Sequence, residues 1–181
     1  KAGLKIPEIF DAAINKEVKA VWIIGEDVVQ TDPNSAHVAK AMNSLDLLVV
    51  QEIFMSETAK HADVVLPGTT FLEKDGTFTN TERRVQRVNR AAKPLPGTKP
   101  DGLIVTEMMQ KLGYDQKLYD ADEVLAEIAD VVPFFKGITR ERLGKLGLQW
   151  PVKEDGTDTK ILHEKEFKLG KGRIKFFDFK E

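Results

Sequence analysis

Three short runs of strand-forming residues, separated by segments with helical periodicity, constrain the fold of this 181-residue chain more than any other feature. Residues 18–24, 45–53 and 63–66 are apolar and rich in β-branched side chains, which is typical of strands buried on both faces. Helices that connect such strands form right-handed crossovers and give a parallel sheet. The predicted fold class is therefore α/β, a three-layer Rossmann-like domain with a mainly parallel sheet.

Capping residues predict where the helices around these strands begin. The first helix should start near Ile6, because Pro7 is tolerated only in a first turn. Asp32 is the predicted N-cap of the next helix, and Asp101 is that of a helix through Leu112. Another helix is predicted at 120–131, and short helices are predicted at 56–61 and 139–146.

Turn residues divide the rest of the chain. Pro67 and Gly68 end the third strand, and Asp75-Gly76 predicts a tight hairpin turn between residues of strand type. Polar groups that follow the carboxyl end of a parallel strand mark the edge where open α/β sheets bind ligands.

The carboxyl-terminal part differs in composition. Residues 148–181 lose helical periodicity, and 173–179 alternate as a strand does. We therefore predict an α/β domain over 1–147, and over 148–181 a linker with the first strand of a β-rich domain that the chain does not complete.

Composition excludes several classes of function. A net charge of −2 gives no electrostatic case for nucleic acid, and no apolar run approaches the ~20 residues of a membrane helix. The absence of cysteine excludes disulfides, a cysteine nucleophile and a cysteine-ligated cluster within this sequence. The three histidines lack metal-site spacing.

Acids and a glycine follow the first predicted strand. Gly25 would let a ligand approach the backbone closely, whereas Glu26 and Asp27 would repel a pyrophosphate and suit ribose hydroxyls or an amine-bearing base edge. The dinucleotide fingerprint GxGxxG is absent. The alternative is a plain strand-to-helix turn with solvated acids.

Further polar groups flank the other two strands. Gln51 and Glu52 close the second strand and can accept hydrogen bonds from a guanine edge or from ribose; alternatively they form a surface pair. Asp63 precedes the third strand and either binds ligand or caps the preceding turn. Around the hairpin, four side chains can reach an anionic cofactor or a neighbouring domain, or form a salt-linked solvated hairpin: Glu73, Asn80, Glu82 and Arg84.

Several segments carry a resemblance to a known family. They read IIGEDVVQTDPN, VVQEIFMSETAKHADVVLPGTTFLEKDGTFTNTERRVQ, GLQWP and FKLGKGRIKFF. These segments resemble the molybdopterin oxidoreductases, whose large subunits hold molybdenum or tungsten between two pterin guanine dinucleotides. The similarity is closest to the catalytic (alpha) subunits of formate dehydrogenases.

The resemblance implies a place in a larger subunit. It makes this chain a fragment of the carboxyl-terminal half, the third of four domains, which binds the guanosine end of one molybdopterin guanine dinucleotide and leads into a β-barrel domain. Gly25, Glu26 and Asp27 would then lie near phosphate and ribose, and Asp63 would read guanine. Gln51, Glu52 and Thr58 would line the nucleoside pocket. The hairpin residues Glu73, Gly76, Asn80 and Arg84 would brace the cofactor channel.

The resemblance also implies a reaction. Formate would be oxidised to CO2, with two electrons passing to molybdenum or tungsten and then to a [4Fe-4S] cluster. The metal-ligating cysteine or selenocysteine and the cluster cysteines are not in this sequence, so we expect no catalytic or metal-ligating residue here, no cofactor bound to the fragment and no formate turnover by it. Expected partners are the other domains of the subunit and electron-transfer iron–sulfur subunits, in a cytoplasmic rather than exported enzyme.

Three departures from the family pattern leave alternatives open. Arg83 replaces a usual glycine, Gly102 stands where tryptophan is common, and Val152 stands where cysteine is usual. One alternative is a structural relative with a vestigial pterin site, as in the large iron–sulfur subunit of NADH dehydrogenases, although GLQWP argues against it. A free-standing nucleotide-binding module is a third possibility, which the missing glycine fingerprint disfavours.

Overall fold

A computed structural model describes residues 3–167 together with residues 170 and 172, and these residues form two compact units. The first unit takes the described residues of Lys1–Gly76 and Val88–Val124, and the second takes those of Thr77–Arg87 and Leu125–Glu181. In the described part of the chain, no helix has the length and apolar character needed to cross a membrane. The boundary at 147/148 stays a prediction.

The first unit contains a parallel sheet of three strands in the order β1-β2-β3. The strands are β1 (Ala20–Ile24), β2 (Leu47–Glu52) and β3 (Val64–Pro67). Ile24 pairs with Gln51, and Gln51 pairs with Leu66, so the carboxyl ends of the three strands lie level along one edge. The predicted α/β fold class is confirmed.

Helices α1 (Ile6–Ile14) and α3 (Ser35–Met42) contribute to the core of this unit. Residues such as Phe10, Val38 and Met42 from the helices and Leu48 and Val50 from β2 are buried in one apolar cluster. Successive strand residues point to opposite faces of a sheet, so Gln51, next to Val50, points to the other face. There its amide contacts helix α4 (Asp101–Lys111). The unit therefore has helices on both faces of its sheet.

Two predicted helix caps are wrong. A short helix, α2 (Val28–Thr31), precedes α3, and the side chain of Asn34 accepts the N–H of His37 at 3.2 Å as the cap of α3. Asp32 instead accepts the N–H of Asn34 and closes the turn between these helices. Asp101 is the first helical residue of α4, and its carboxylate is drawn away from the helix by two side-chain donors described below.

Helix α4 contains a position that only glycine fits. A Cβ atom added to Gly102 would overlap the ring of Tyr119. This contact explains the departure noted at Gly102, because Tyr119 occupies the space that a larger side chain would need. Leu112, where the predicted helix ends, is 69% exposed.

The second unit contains the hairpin, whose turn is not where the sequence predicted it. Strand β4 (Gly76–Thr79) begins at the expected turn, and β5 (Arg84–Val88) follows it. The turn lies at residues 80–83, where the N–H of Asn80 donates to the carbonyl of Arg84 and the Asn80 side chain accepts two backbone N–H groups. An asparagine that bonds its own turn explains this placement. Val85 of β5 is buried, although charged and amide side chains surround it in the sequence.

The remaining elements of this unit are short. Strand β6 (Leu148–Gln149) pairs antiparallel with β5, and helices α5 (Ala121–Val131) and α6 (Arg140–Leu143) lie between the two strands in sequence. The helix predicted over 139–146 therefore ends early. The core of the unit consists of Val85, Leu125, Ile138, Leu143 and Val152. The strand predicted at 173–179, and with it the start of a β-barrel, lies outside the described residues.

Arg83 ties the carboxyl-terminal segment of this unit to the hairpin. Its guanidinium donates to the carbonyl oxygens of Trp150, Thr159 and Lys160 and lies 5.7 Å from the centre of the Trp150 ring system. The residue has a φ of +67°, in the region that favours glycine. This conformation accounts for the glycine that the family usually has here.

Candidate functional site

The carboxyl ends of β1 and β2 bring the first group of predicted site residues together. The N–H of Gly25 donates to the carbonyl oxygen of Gln51 at 2.9 Å. Gly25 has a φ of +64°, and nothing lies within 4 Å of the position that a Cβ would take. We use the name rim for the edge formed by the carboxyl ends of β1 and β2 and the residues that directly follow them. At Gly25 the backbone of the rim borders open space, so a ligand can approach it closely.

Asp27 braces the loop that follows β2. Its carboxylate accepts the N–H and the hydroxyl of Thr58 at 2.9 and 2.6 Å, the N–H of Glu57 at 3.2 Å and the amide of Gln30 at 3.0 Å. Thr58 is fully buried, and its hydroxyl also accepts the N–H of Val29. Burial raises the pKa of Asp27, but these hydrogen bonds outweigh it and hold the pKa below 3.8. Asp27 and Thr58 are thus occupied in shaping the rim.

Two other acids at the rim keep acceptor capacity. One oxygen of Glu26 accepts the hydroxyl of Thr31 at 2.6 Å, and one oxygen of Glu52 accepts the N–H of Ile53 at 2.7 Å. A carboxylate offers about four acceptor positions, so both side chains can accept further donors. Glu26 is exposed and Glu52 is half-buried.

A polar cluster lies on the α4 side of the sheet beside the rim. The amide nitrogen of the fully buried Gln51 donates to Asp101 at 2.9 Å, and Lys74 donates to the second oxygen of the same carboxylate. The amide oxygen of Gln51 and the hydroxyl of Thr69 are buried without a partner among the described residues.

Lys74 controls the ionisation of Asp101. Burial raises the pKa of Asp101, but the hydrogen bonds from Lys74 and Gln51 and the charge of Lys74 hold it below 3.8. A folded pKa below the unfolded value means that the carboxylate stabilises the fold above pH 3.8, and that this stabilisation is lost as the pH falls through the folded pKa.

Replacing Lys74 by methionine should raise the pKa of Asp101, because burial then acts without the cation. The loss of stability on acidification should begin at a higher pH than in the parent chain. A carboxyl-detected NMR titration measures this pKa directly. Lys60→Met is the matched control, since Lys60 pairs with the exposed Glu57. An Asp101 pKa that is the same in both variants contradicts the assignment.

The structure places Asp63 away from the rim. Val64 pairs with Val49, so Asp63 lies beside Leu48, three residues from the level of Gln51 and toward the amino ends of the strands. Its carboxylate accepts the N–H of Leu48 at 2.7 Å. The common rim therefore contains residues from β1 and β2 but not this acid.

The hairpin residues are also held internally. Glu73 accepts the N–H and hydroxyl of Thr70 and the N–H of Leu95, and the bond from the Thr70 N–H is the largest cause of its lowered pKa. Gly76 belongs to the first unit and begins β4. Asn80 forms the turn, and Arg84 contacts Glu82 at 3.4 Å, both within the second unit.

Sequence reasoning missed several residues around the rim. Lys74 and Thr69 gave no signal, because their importance depends on contacts distant in sequence. Phe54 could have been found, since an apolar residue that follows the polar pair ending β2 is unusual for a solvated loop; its side chain is 74% exposed.

The hydrogen-bond acceptors at the rim favour one kind of ligand. Glu26 and Glu52 offer oxygen acceptors, which suit ribose hydroxyls and base N–H groups better than phosphate. Across the residues that the structure describes, no group of three or more histidine, aspartate or glutamate side chains is arranged to hold a metal. The rim therefore offers hydrogen-bond acceptors to a ligand that carries N–H or O–H donors.

Comparisons with known proteins identify the family to which the chain belongs. The model of the molybdopterin oxidoreductase family matches residues 1–111. F420-dependent formate dehydrogenase alpha subunits of Methanocaldococcus jannaschii and Methanococcus maripaludis are 46% and 47% identical over 97% and 96% of this chain. A putative formate dehydrogenase of Staphylococcus aureus is 43% identical over 98% of it.

The matched region is a minor part of each relative. The chain spans 26% of the two archaeal subunits and 18% of the staphylococcal protein. The structure is similar to acetylene hydratase from Pelobacter acetylenicus, with a TM-score of 0.58 at 21% identity over 74% of this chain and 19% of that one. At this identity the similarity concerns the fold alone.

Proposed function

This chain belongs to the molybdopterin oxidoreductase family, and from that premise we propose that the rim binds the guanosine end of a molybdopterin guanine dinucleotide. The observation that carries the proposal is the hydrogen bond that places Gly25 beside Gln51, with open space above the glycine and oxygen acceptors around it. A nucleoside can approach such a backbone and donate its hydrogen bonds to these oxygens.

Each residue has a distinct part in this proposal. Gly25 admits the ribose, and Glu26 accepts its hydroxyls. Glu52 accepts the N–H edge of guanine, and Gln51, whose side chain is fully buried, lines the pocket through the backbone carbonyl that bonds Gly25. Asp27 and Thr58 hold the loop in place. Asp63 is not assigned to guanine, because it lies beside Leu48, toward the amino ends of the strands and away from the rim. Glu73, Gly76, Asn80 and Arg84 remain proposed braces of the cofactor channel.

We further propose that the whole protein oxidises formate to CO2. The names of the relatives and their identity to this chain support this. The bound cofactor would supply molybdenum or tungsten for the two-electron step, and this chain would supply binding and orientation. Electrons would pass to a [4Fe-4S] cluster and to iron–sulfur partner subunits, in the cytoplasm. The chain by itself should turn over no formate.

An amide NMR titration with GDP tests the nucleoside site on this chain. We expect shifts at Gly25, Gln51 and Glu52 with a Kd on the order of 1 mM, because one face of the ligand is contacted. ADP is the control, since adenine lacks the N1–H and N2 donors of guanine and should bind several-fold more weakly. Glu52→Gln should weaken GDP binding about tenfold. Shifts that avoid Gly25 and Glu52, or no shifts at about 10 mM GDP, would refute the proposal.

A further inference from the structure

The loop after β2 exposes three consecutive apolar side chains at the rim. Ile53, Phe54 and Met55 are 44%, 74% and 64% exposed. Phe54 is the most exposed phenylalanine among the residues that the structure describes. Contiguous apolar exposure of this kind marks binding surfaces more often than solvated loops.

Hydrogen bonds fix this loop at both ends. On one side, the carbonyl of Glu52 accepts the N–H of Gly68 at 3.1 Å and its carboxylate accepts the N–H of Ile53. On the other side, the N–H groups of Glu57 and Thr58 donate to the carboxylate of Asp27. The loop therefore runs from the end of β2 to the turn that follows β1.

Within the loop, the N–H of Ser56 donates to the carbonyl of Phe54 at 2.9 Å, and the Ser56 hydroxyl accepts the N–H of Ala59 at 3.2 Å. Hydrogen bonds therefore hold the backbone on both sides of Phe54, whose ring is exposed. A ligand that covers this ring therefore need not order the backbone of the loop.

The chemistry around Phe54 suits a flat, donor-bearing heterocycle. An aromatic face stacks on a nucleobase with about 1–3 kcal/mol, while the acids of Glu26 and Glu52 lie at the same rim and accept N–H or O–H donors. We propose that Phe54, with Met55 beside it, is the platform on which the nucleoside base stacks. This inference rests on the proposed function and adds to it the residue that holds the face of the base.

The GDP titration distinguishes stacking from general apolar contact through three variants. Phe54→Ala and Phe54→Leu should each weaken GDP binding about tenfold, whereas Phe54→Trp should keep it. In the parent chain and Phe54→Trp, the guanine H8 signal should move upfield through the ring current, and this shift should vanish in Phe54→Leu. Tyr114→Ala is the matched control, because Tyr114 is an aromatic residue of the first unit with 64% exposure.

The outcomes separate this inference from the proposed function. If GDP shifts Gly25 and Glu52 but Phe54→Ala binds it as well as the parent chain, the platform is refuted and the nucleoside site stands. If GDP shifts neither Gly25 nor Glu52 in the parent chain, the site itself is refuted. Unchanged amide signals outside residues 50–60 establish that each variant is folded.

Discussion

Replacing Asp27 by alanine is expected to lower the free energy of unfolding of the first unit by about 3 kcal/mol. The change leaves the N–H and the hydroxyl of the buried Thr58, and the N–H of Glu57, without their acceptor. Each unsatisfied group costs about 1 kcal/mol or more. The rim should lose its shape together with its stability, so GDP binding should disappear as well.

Urea unfolding followed by tryptophan fluorescence measures this effect. The chain has two tryptophans, Trp22 in the first unit and Trp150 in the second, so a Trp150→Phe background makes the signal specific for the first unit. Glu26→Ala is the control, because that neighbouring acid is exposed, and its effect should stay within about 0.5 kcal/mol. Equal effects of the two substitutions would show that Asp27 does not brace the loop.

A double-mutant cycle isolates the contact itself. Thr58→Val preserves the shape of the buried side chain and removes its hydroxyl, which donates to Asp27 and accepts from Val29. We expect the two substitutions to couple by about 1 kcal/mol or more, since they remove the same hydrogen bond. Additive effects would contradict a direct interaction.

The second large effect is expected at Arg83. Replacing it by alanine should destabilise the second unit by about 3 kcal/mol, because three carbonyl oxygens lose a charged donor. Because this unit comprises fewer than 100 residues, that corresponds to about 12–24 °C in Tm. Fluorescence of Trp150 in a Trp22→Phe background reports the unfolding of this unit.

A series at this position separates two opposing contributions. Arg83→Gly loses the same hydrogen bonds but relieves the cost of a positive φ, which is about 1 kcal/mol for a residue with a side chain. It should therefore be less destabilised than Arg83→Ala. Arg87→Ala removes an exposed arginine from the same hairpin and should change stability by less than about 0.5 kcal/mol. An Arg83→Ala variant as stable as Arg87→Ala contradicts the clamp.

The strands and the family could be predicted from sequence because their signals are local. Buried β-branched runs identified β1, β2 and β3, and the motif around residues 62–84 indicated the family that the comparisons confirm. The N-cap residues of the helices were harder to predict for a physical reason. Asp32 and Asn34 are both good N-cap residues, and only the presence of α2 decides between them.

The position of Asp63 away from the rim follows from its place in the sequence. A residue that precedes a strand lies at the amino end of that strand. In a parallel sheet, this end lies at the edge opposite to the edge that contains Gly25 and Glu52. By contrast, the cluster of Lys74, Asp101 and Gln51 could not be predicted, since it joins groups up to 50 positions apart through tertiary packing. The hairpin turn at 80–83 was missed because Arg83 adopts a conformation that its residue type does not indicate.

The interleaved course of the chain limits how it can be dissected. Because β4 and β5 lie in sequence between two parts of the first unit, no single cut separates the units into contiguous pieces. A truncation after Val124 would retain Val85 but delete Leu125, Ile138, Leu143 and Val152, which bury it. In such a shortened chain, β5 would lose its partner strand β6 and the side chain of Val85 would be exposed. An exposed strand edge with an apolar face is prone to aggregation.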